Sequence, residues 1–287
     1  MGWLARTVKS AIGGGVPGAL AMVLQIVFLM WLRTTVNYQM RYGGTMMGTI
    51  RILYAEGGIA RFYSGVSVAL LQGPLSRFGD TAANAGMLSM LENTAVPVAI
   101  QTVLASVAAA LWRIVVMPLD TIKTVLQVNG AAGLVVIKNR VAANGLSELW
   151  TGALGSTVAT FVGHYPWFAT NNLLESSVPG GKNPSPKLKL LRRAAIGFAS
   201  SIVSDFVSNS TRVLKTFVQT SAEPVGYGEA LRFIIERDGL SGLFLCGLAA
   251  KIVCNGISSI LFSVIWKMMM DRAKEREAKE KAANKAN

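Results

Sequence analysis

The sequence predicts an all-α membrane protein with six transmembrane helices in three tandem two-helix repeats. The chain of 287 residues is 52% hydrophobic and only 15% charged, and its mean hydropathy is +0.44. A soluble domain usually has about a quarter of its residues charged. Several apolar runs approach the ~20 residues that cross a bilayer as a helix. Two sequence features also recur three times with nearly constant spacing.

The first recurring feature is a glutamine, and the second is a glycine-bounded turn that contains an aromatic residue. The glutamines are Gln39, Gln127 and Gln219, spaced by 88 and 92 residues. The turns are 58–65, 145–152 and 239–247, and their last glycines are spaced by 87 and 95 residues. Agreement of both features indicates internal duplication. The predicted units are repeat one at 1–92, repeat two at 93–180, repeat three at 181–272 and a charged tail at 273–287.

Each repeat follows one pattern: a long apolar helix, a short amphipathic segment, the glycine-bounded turn and a second apolar helix. Small residues near the start of the first helix, such as Gly14, Ala105 and Gly197, favour close helix packing in a membrane. The predicted long helices are 11–40, 63–92, 95–128, 149–176, 188–219 and 243–272. The predicted amphipathic segments are 45–56, 134–143 and 229–237. A linker rich in proline and glycine is expected at 176–187.

The formal net charge of +13 comes from 28 basic and 15 acidic residues. The basic residues are scattered and form no stripe with interleaved aromatics, so nucleic acid is not an expected partner. Anionic lipid, an anionic substrate or an acidic membrane partner fits this charge better. Cys246 and Cys254 imply no disulfide framework, and the single histidine, His164, cannot form a multi-histidine metal site. No nucleophile–base pair or phosphate loop emerges, so neither an enzyme nor a cofactor is expected.

The most informative stretch is Pro118-x-Asp120-x-x-Lys123, with Gln127 four residues further on, after an apolar run from residue 100 to 117. The proline kinks the helix and frees a backbone carbonyl. Asp120 and Lys123 lie on nearly the same helix face. Charges inside a membrane segment are costly unless paired or wetted, so they are expected to face the interior of a helix bundle.

This stretch resembles the P-x-D-x-x-K signature of the mitochondrial carrier family, and the threefold repeat extends the resemblance over the whole chain apart from the tail. The resemblance implies six helices with pseudo-threefold symmetry around a central cavity. It also implies a multi-pass protein of the mitochondrial inner membrane, with its amphipathic helices on the matrix side. A different organelle membrane is left open.

In the family, an acid of one repeat pairs with a base of the next and closes the matrix side of the cavity. The corresponding slots are Met30, Leu32 and Thr35 in repeat one, Pro118, Asp120 and Lys123 in repeat two, and Ser210, Arg212 and Lys215 in repeat three. Only the pair Asp120–Lys215 survives, since Leu32 cannot pair with Lys123 and Arg212 is expected to face Thr35. The implied matrix gate is Asp120, Lys123, Arg212 and Lys215, braced by Gln39, Gln127 and Gln219.

The family also closes the cytosolic side through an acid-then-base pattern on the second helix of each repeat. That order is lost in all three repeats. The corresponding slots are Asn84, Ala85 and Leu88, then Asn171, Asn172 and Glu175, then Trp266, Lys267 and Met270. An asparagine-rich ring can still form hydrogen bonds, although weaker ones than charged groups form.

The resemblance places the substrate on the second helix of each repeat, beginning seven residues after the last glycine of the turn. The implied substrate-binding residues are Gln72, Arg77, Asp80, Ala159, Thr160, His164, Cys254 and Asn255. Arg77 is the one permanently charged base expected there, with a mutual pair with Asp80 as the alternative. For His164 the alternative is a hydrogen bond between packed helices. Arg113 is also expected to face a cavity or the bundle interior.

Two functions follow from these observations. The first is transport of a small anionic or polar metabolite across the inner membrane by alternating access. The second is a transport-inactive accessory subunit of a larger inner-membrane complex, such as a respiratory one, which the depleted gates favour. The expected partners are membrane lipid, including cardiolipin, a small-molecule substrate and, in the second case, the other subunits of the complex.

Overall fold

The computed structural model describes the backbone of residues 2–91, 98–179 and 185–261, and most side chains from residue 22 onward in these ranges. These residues are almost entirely helical and include no β-strand. Two 3-10 turns, Gly130–Ala132 and Leu146–Trp150, flank the fifth helix. The helices are α1 (Gly2–Tyr42), α2 (Met46–Phe62), α3 (Val66–Leu91), α4 (Val98–Asn129), α5 (Gly133–Asn144), α6 (Ala153–Ser177), α7 (Pro186–Thr220), α8 (Tyr227–Leu245) and α9 (248–261).

The long helices expected from the sequence correspond to α1, α3, α4, α6, α7 and α9, and the amphipathic segments to α2, α5 and α8. The second helix of each repeat begins three to five residues later than predicted, because the glycine-bounded turn precedes it. In the linker, Ser185 caps α7 by accepting a hydrogen bond from the amide of Leu188 at 3.3 Å. The charged tail at 273–287 lies outside the described residues.

Hydropathy alone identifies fewer membrane spans than the repeat pattern predicts. Within the described ranges, one helical stretch, Tyr227–Leu261, is long and apolar enough to cross a membrane. It contains α8, the turn at Cys246 and Gly247, and α9.

The six long helices form a closed ring. Helix α1 packs on α3, α3 on α4, α4 on α6, and α6 on α7. Helix α9 completes the ring, because Cys254 packs with Leu29 and Leu32 of α1, and Gly256 lies against Phe198 of α7. Helices α1, α4 and α7 also contact one another. They meet near their C-terminal ends, where Asn37 binds Gln127 and Gln219 binds Thr121.

The glycines that bound the three turns all have positive φ, between 60° and 91°. The last glycine of each turn, called here a closing glycine, also lies against the first helix of another repeat. A β-carbon on Gly65 would meet Leu126 of α4, one on Gly152 would meet Gln219 of α7, and one on Gly247 would meet Met40 of α1. Both the backbone conformation and this close approach require glycine at the recurring positions.

Three arginines, on α2, α5 and α8, make a second set of connections between the same repeats. Arg61 donates to the carbonyls of Gln127 and Val128 in α4, at 2.9 and 2.6 Å. Arg237 donates to the carbonyl of Arg41 in α1, at 2.8 Å. Arg140 donates to three carbonyls at the end of α7, those of Val218, Gln219 and Ser221. The last carbonyls of a helix lack hydrogen-bond donors within the helix, and these guanidinium groups act as their donors. Each arginine contacts the first helix of the next repeat, so the three connections follow one cyclic order around the ring.

Candidate functional site

The ring of long helices surrounds a cavity that has a narrow and a wide part. The narrow part, called here the inner chamber, has a volume of about 250 Å³ and is lined by all six long helices. It continues into an outer chamber of about 620 Å³, which shares part of its lining with the inner one. The shared residues are Arg33, Gln72, Arg113, Lys123 and Asn255.

The inner chamber is strongly basic. Among the described residues, no aspartate or glutamate lines either chamber, and the two carboxylates that pair with its bases are Asp120 and Asp205. Because low-dielectric walls focus the field of such charges, the chamber attracts anions. The bases that line the inner chamber are Arg33, Arg113, Lys123, Arg212, Lys215 and Lys251.

The inner end of the cavity contains the expected contact between Asp120 and Lys215. Lys215 Nζ lies 2.7 Å from Asp120 Oδ2, and Lys123 Nζ lies 2.6 Å from Asp120 Oδ1. Lys123 also donates to Gln72 Oε1 at 3.1 Å. Helix α1 contains no acidic residue that could form an ion pair with Lys123. One carboxylate is thus shared by two ammonium groups.

Below this ion cluster, polar contacts join the three helices that meet there. Gln127 Oε1 accepts from Asn37 Nδ2 at 2.6 Å, which joins α4 to α1. Gln219 Nε2 donates to Thr121 Oγ1 at 3.1 Å, which joins α7 to α4. Gln39 departs from the expected bracing role, because its amide donates to the Gly44 carbonyl just after its own helix.

A second acidic cluster lies on the wall between α7 and α9. Asp205 pairs with Lys251 Nζ at 2.8 Å and accepts a hydrogen bond from the amide of Asn255. Arg212 donates to Ser208 Oγ at 3.2 Å and lines the inner chamber. Thr35, the residue expected opposite Arg212, is fully buried and donates to the Trp31 carbonyl.

The structure brings most of the predicted substrate-binding residues to the cavity wall. Gln72 and Asn255 line both chambers, and Ala159, Thr160 and Cys254 line the inner one. Arg77 lines the outer chamber only. Thr160 Oγ1 accepts a hydrogen bond from Arg113 at 3.1 Å. The side chains of Asp80 and His164 lie outside the described part of the structure.

Three charged residues were not predicted from the sequence: Arg33 and Lys251, which line the cavity, and Asp205, which pairs with Lys251. Lys251 lies on α9, so Arg77 is not the only base at the cavity on the second helix of a repeat. The available signal was a charge inside an otherwise apolar helix. In α1 the family slots fall on Met30, Leu32 and Thr35, so the resemblance does not point to Arg33.

At the opposite end of the cavity, three of the expected slots have described side chains: Asn171, Asn172 and Glu175. Glu175 pairs with Arg192 near the start of α7. Arg192 also donates to the carbonyl of Val178, which follows α6. These contacts fasten α6 to α7, the next helix in the chain.

Comparison with known proteins supports the class that this geometry suggests, a carrier-type membrane transporter. Residues 94–181 match the family model described as mitochondrial carrier protein. The matched segment coincides with the second predicted repeat. This match supports membership of the mitochondrial carrier family over those residues. No significant match was found among curated proteins.

Proposed function

We propose that this protein transports a small anionic metabolite across the mitochondrial inner membrane by alternating access. The observation that carries the proposal is the inner chamber, which is lined by six bases and, within the described ranges, by no carboxylate. Its volume of about 250 Å³ lies just below the range for drug-sized ligand pockets, ~300–1,000 Å³. A compact solute with more than one negative charge fits such a chamber.

Three structural features support six membrane spans in three repeats. The closing glycines and the arginines Arg61, Arg140 and Arg237 connect the repeats in the same cyclic order. The long helices also carry large apolar side chains that face away from the cavity, as lipid contact requires. One such residue on each long helix is more than half exposed: Phe28, Leu71, Leu111, Phe161, Leu191 and Ile260. Anionic lipid such as cardiolipin is the expected surrounding partner.

The closed inner end is assigned to the matrix side, so the outer chamber opens toward the intermembrane space. Opening the matrix side requires breaking the Asp120–Lys215 pair and the contacts of Gln127 and Gln219. A single ion pair with a few neutral hydrogen bonds is a gate of modest strength, because the desolvation of buried charges offsets much of their attraction. Modest strength suits a gate that must open and close in each cycle.

Reconstitution into liposomes tests the proposal. We expect uptake of one or more labelled anions from a panel of phosphate, monocarboxylates and dicarboxylates, and no uptake of matched neutral or cationic solutes. Arg113→Gln should reduce anion uptake strongly, whereas Arg51→Gln, at an exposed position on α2, should not. Preferential uptake of cations, or uptake that is indifferent to Arg113, would contradict an anion carrier.

One observation favours the alternative of an accessory subunit: the first repeat supplies no acid to the gate, so the threefold gate network of a symmetric carrier is incomplete. Affinity purification from mitochondria distinguishes the two functions. A scaffold should copurify in fixed ratio with an inner-membrane complex and be released when the tail from Asp271 to Asn287 is deleted. A transporter should be recovered without such a complex and should be active in liposomes.

A further inference from the structure

We propose that Lys123 and Gln72 form an anion-binding subsite at the closed end of the cavity, where a negative group of the substrate replaces the gate carboxylate that repeat one lacks. This inference rests on the proposed function, because it assigns a place for the transported anion. It concerns the carboxylate or phosphate class of ligand group. It also gives Lys123 a role beyond closing the gate.

The charge balance at the gate motivates this subsite. Lys123 and Lys215 both pair with Asp120, so two positive charges share one negative charge. The side chains of these three residues are only 17–18% exposed. An excess charge that is largely shielded from water is costly unless a counter-charge is supplied. Helix α1, which contributes to the same closed end, has no acidic residue and instead presents Arg33 to the chamber.

Lys123 is positioned to receive a ligand from the cavity. An ammonium group has three donors, and the contacts to Asp120 and Gln72 occupy two of them. Lys123 lines both chambers, so a solute that descends from the outer chamber can reach it. Lys215, by comparison, lines only the inner chamber.

Gln72 completes the subsite, because its side-chain amide is both an acceptor and a donor. Its Oε1 accepts from Lys123, and its Nε2 is the kind of donor that an anionic oxygen accepts. An anion held by both groups would use the remaining donor of Lys123. It would also supply the second negative charge that the two ammonium groups on Asp120 lack.

The decisive variant is Gln72→Glu, because glutamate is nearly isosteric with glutamine and places a permanent carboxylate next to the Lys123 ammonium group. We expect the apparent affinity for an anion to fall about ten- to a hundredfold, as for loss of one hydrogen bond to a charged group. The full-length purified protein would be titrated with inorganic phosphate and with succinate, with the Tm as the readout. The same anions would compete for uptake in liposomes. Without anion, the Gln72→Glu protein should have a higher Tm than the wild type, because the added carboxylate balances the gate.

Gln25→Glu is the matched control. Gln25 lies two turns before Arg33 on α1 and lines the outer chamber, where its amide donates to the Ser258 carbonyl at 3.4 Å. The Gln25→Glu substitution adds the same charge to the same cavity but away from Lys123. Its effect on anion affinity should therefore be much smaller than that of Gln72→Glu. Equal losses in the two variants, or an unchanged affinity in Gln72→Glu, would overturn the subsite.

Lys123→Gln provides an independent test if Gln72→Glu folds poorly. It removes the ammonium group while Asp120 keeps Lys215, and it should weaken the anion-dependent rise in Tm to a similar degree. Retention of wild-type anion affinity in Lys123→Gln would overturn the subsite while leaving anion transport intact. A wild-type protein that responds to neither anion and transports none of the panel would instead overturn the proposed function and the subsite with it.

Discussion

The indole Nε1 of Trp150 donates a hydrogen bond of 2.9 Å to the carbonyl oxygen of Ile114. Ile114 lies four residues before Pro118, which has no amide hydrogen to donate to that carbonyl. The aromatic residue of the second turn thus satisfies the carbonyl that the proline of the preceding helix leaves unpaired. Tyr63 makes a similar contact in the first repeat, where its hydroxyl donates to the Val27 carbonyl at 3.0 Å.

Trp150→Phe should lower the free energy of unfolding by about 1 kcal/mol, the net contribution of one hydrogen bond. The effect should nearly vanish in a Pro118→Ala background, because residue 118 then supplies the missing amide donor. Thermal unfolding of the four proteins of this double-mutant cycle in detergent measures the coupling. A loss of the same size in both backgrounds would show that packing of the ring, and not the hydrogen bond, is responsible.

Asp120→Ala should be far more damaging than Lys215→Ala. Removing Asp120 leaves two largely buried lysines without their shared carboxylate, at a cost of ~3–5 kcal/mol. Removing Lys215 leaves Asp120 paired with Lys123, so the loss should be smaller. The double variant should be more stable than the sum of the single losses implies. Simple additivity in the Tm values would contradict coupling between the two residues.

Gly152→Ala should destabilise the protein by about 2–4 kcal/mol, because it combines backbone strain at φ 91° with a clash against Gln219. Gly44→Ala is the matched control. Gly44 has a φ of 89°, but its β-carbon would meet no atom within 4 Å. The difference in Tm between the two variants measures the close approach of the turn to α7, and similar Tm values would argue against it.

Arg140→Lys should be poorly tolerated even though it conserves the charge. Arg140 is 5% exposed, binds three carbonyls at the end of α7 and pairs with Glu148. A lysine ammonium cannot reproduce this planar set of donors, and we expect a loss of about 2–3 kcal/mol in the free energy of unfolding. Arg51→Lys, at an exposed position on α2, is the control and should leave the Tm unchanged.

Arg77 should act on substrate capture from the outer chamber, which it lines, rather than on the inner binding step. Arg77→Lys should weaken anion uptake, because lysine loses the two-point geometry with carboxylate or phosphate. Arg77→Ala should weaken it further and make the initial rate less dependent on ionic strength. Initial rates of uptake into liposomes at low and high salt test this prediction. Equal rates for the wild type and the Arg77 variants would show that Arg77 does not act in substrate capture.

The sequence predicted the helices because they depend on strong local patterns, whereas the Asp120–Lys215 contact was implied by the resemblance to the carrier signature. The recurring glycines mark turns that favour glycine, and the length of the apolar runs between them indicates the helices. The register of α1 was not predictable in the same way. The glutamine spacing of 88 residues and the glycine spacing of 87 residues disagree by one, which rotates a helix by about 100°.

That single residue decides which side chains of α1 face the cavity. In the structure Arg33 lines it, while Leu32 is fully buried against Leu29 and Cys254. The cluster of Asp205 and Lys251 was missed for another reason. Its members lie 46 residues apart on two helices, and no local pattern indicates that their side chains meet.

The arginine connections described above also carry information about the order of assembly. Arg61 reaches carbonyls 66 and 67 residues further along the chain, and Arg140 reaches carbonyls 78 to 81 residues further along. Arg237 reaches back 196 residues to Arg41. The first two connections can form while the ribosome is still adding residues, but the last must wait until α8 has emerged. The C-terminal end of α1 must therefore remain accessible through most of the synthesis of the chain. The Arg41 carbonyl accepts its hydrogen bond from Arg237 only when the ring closes.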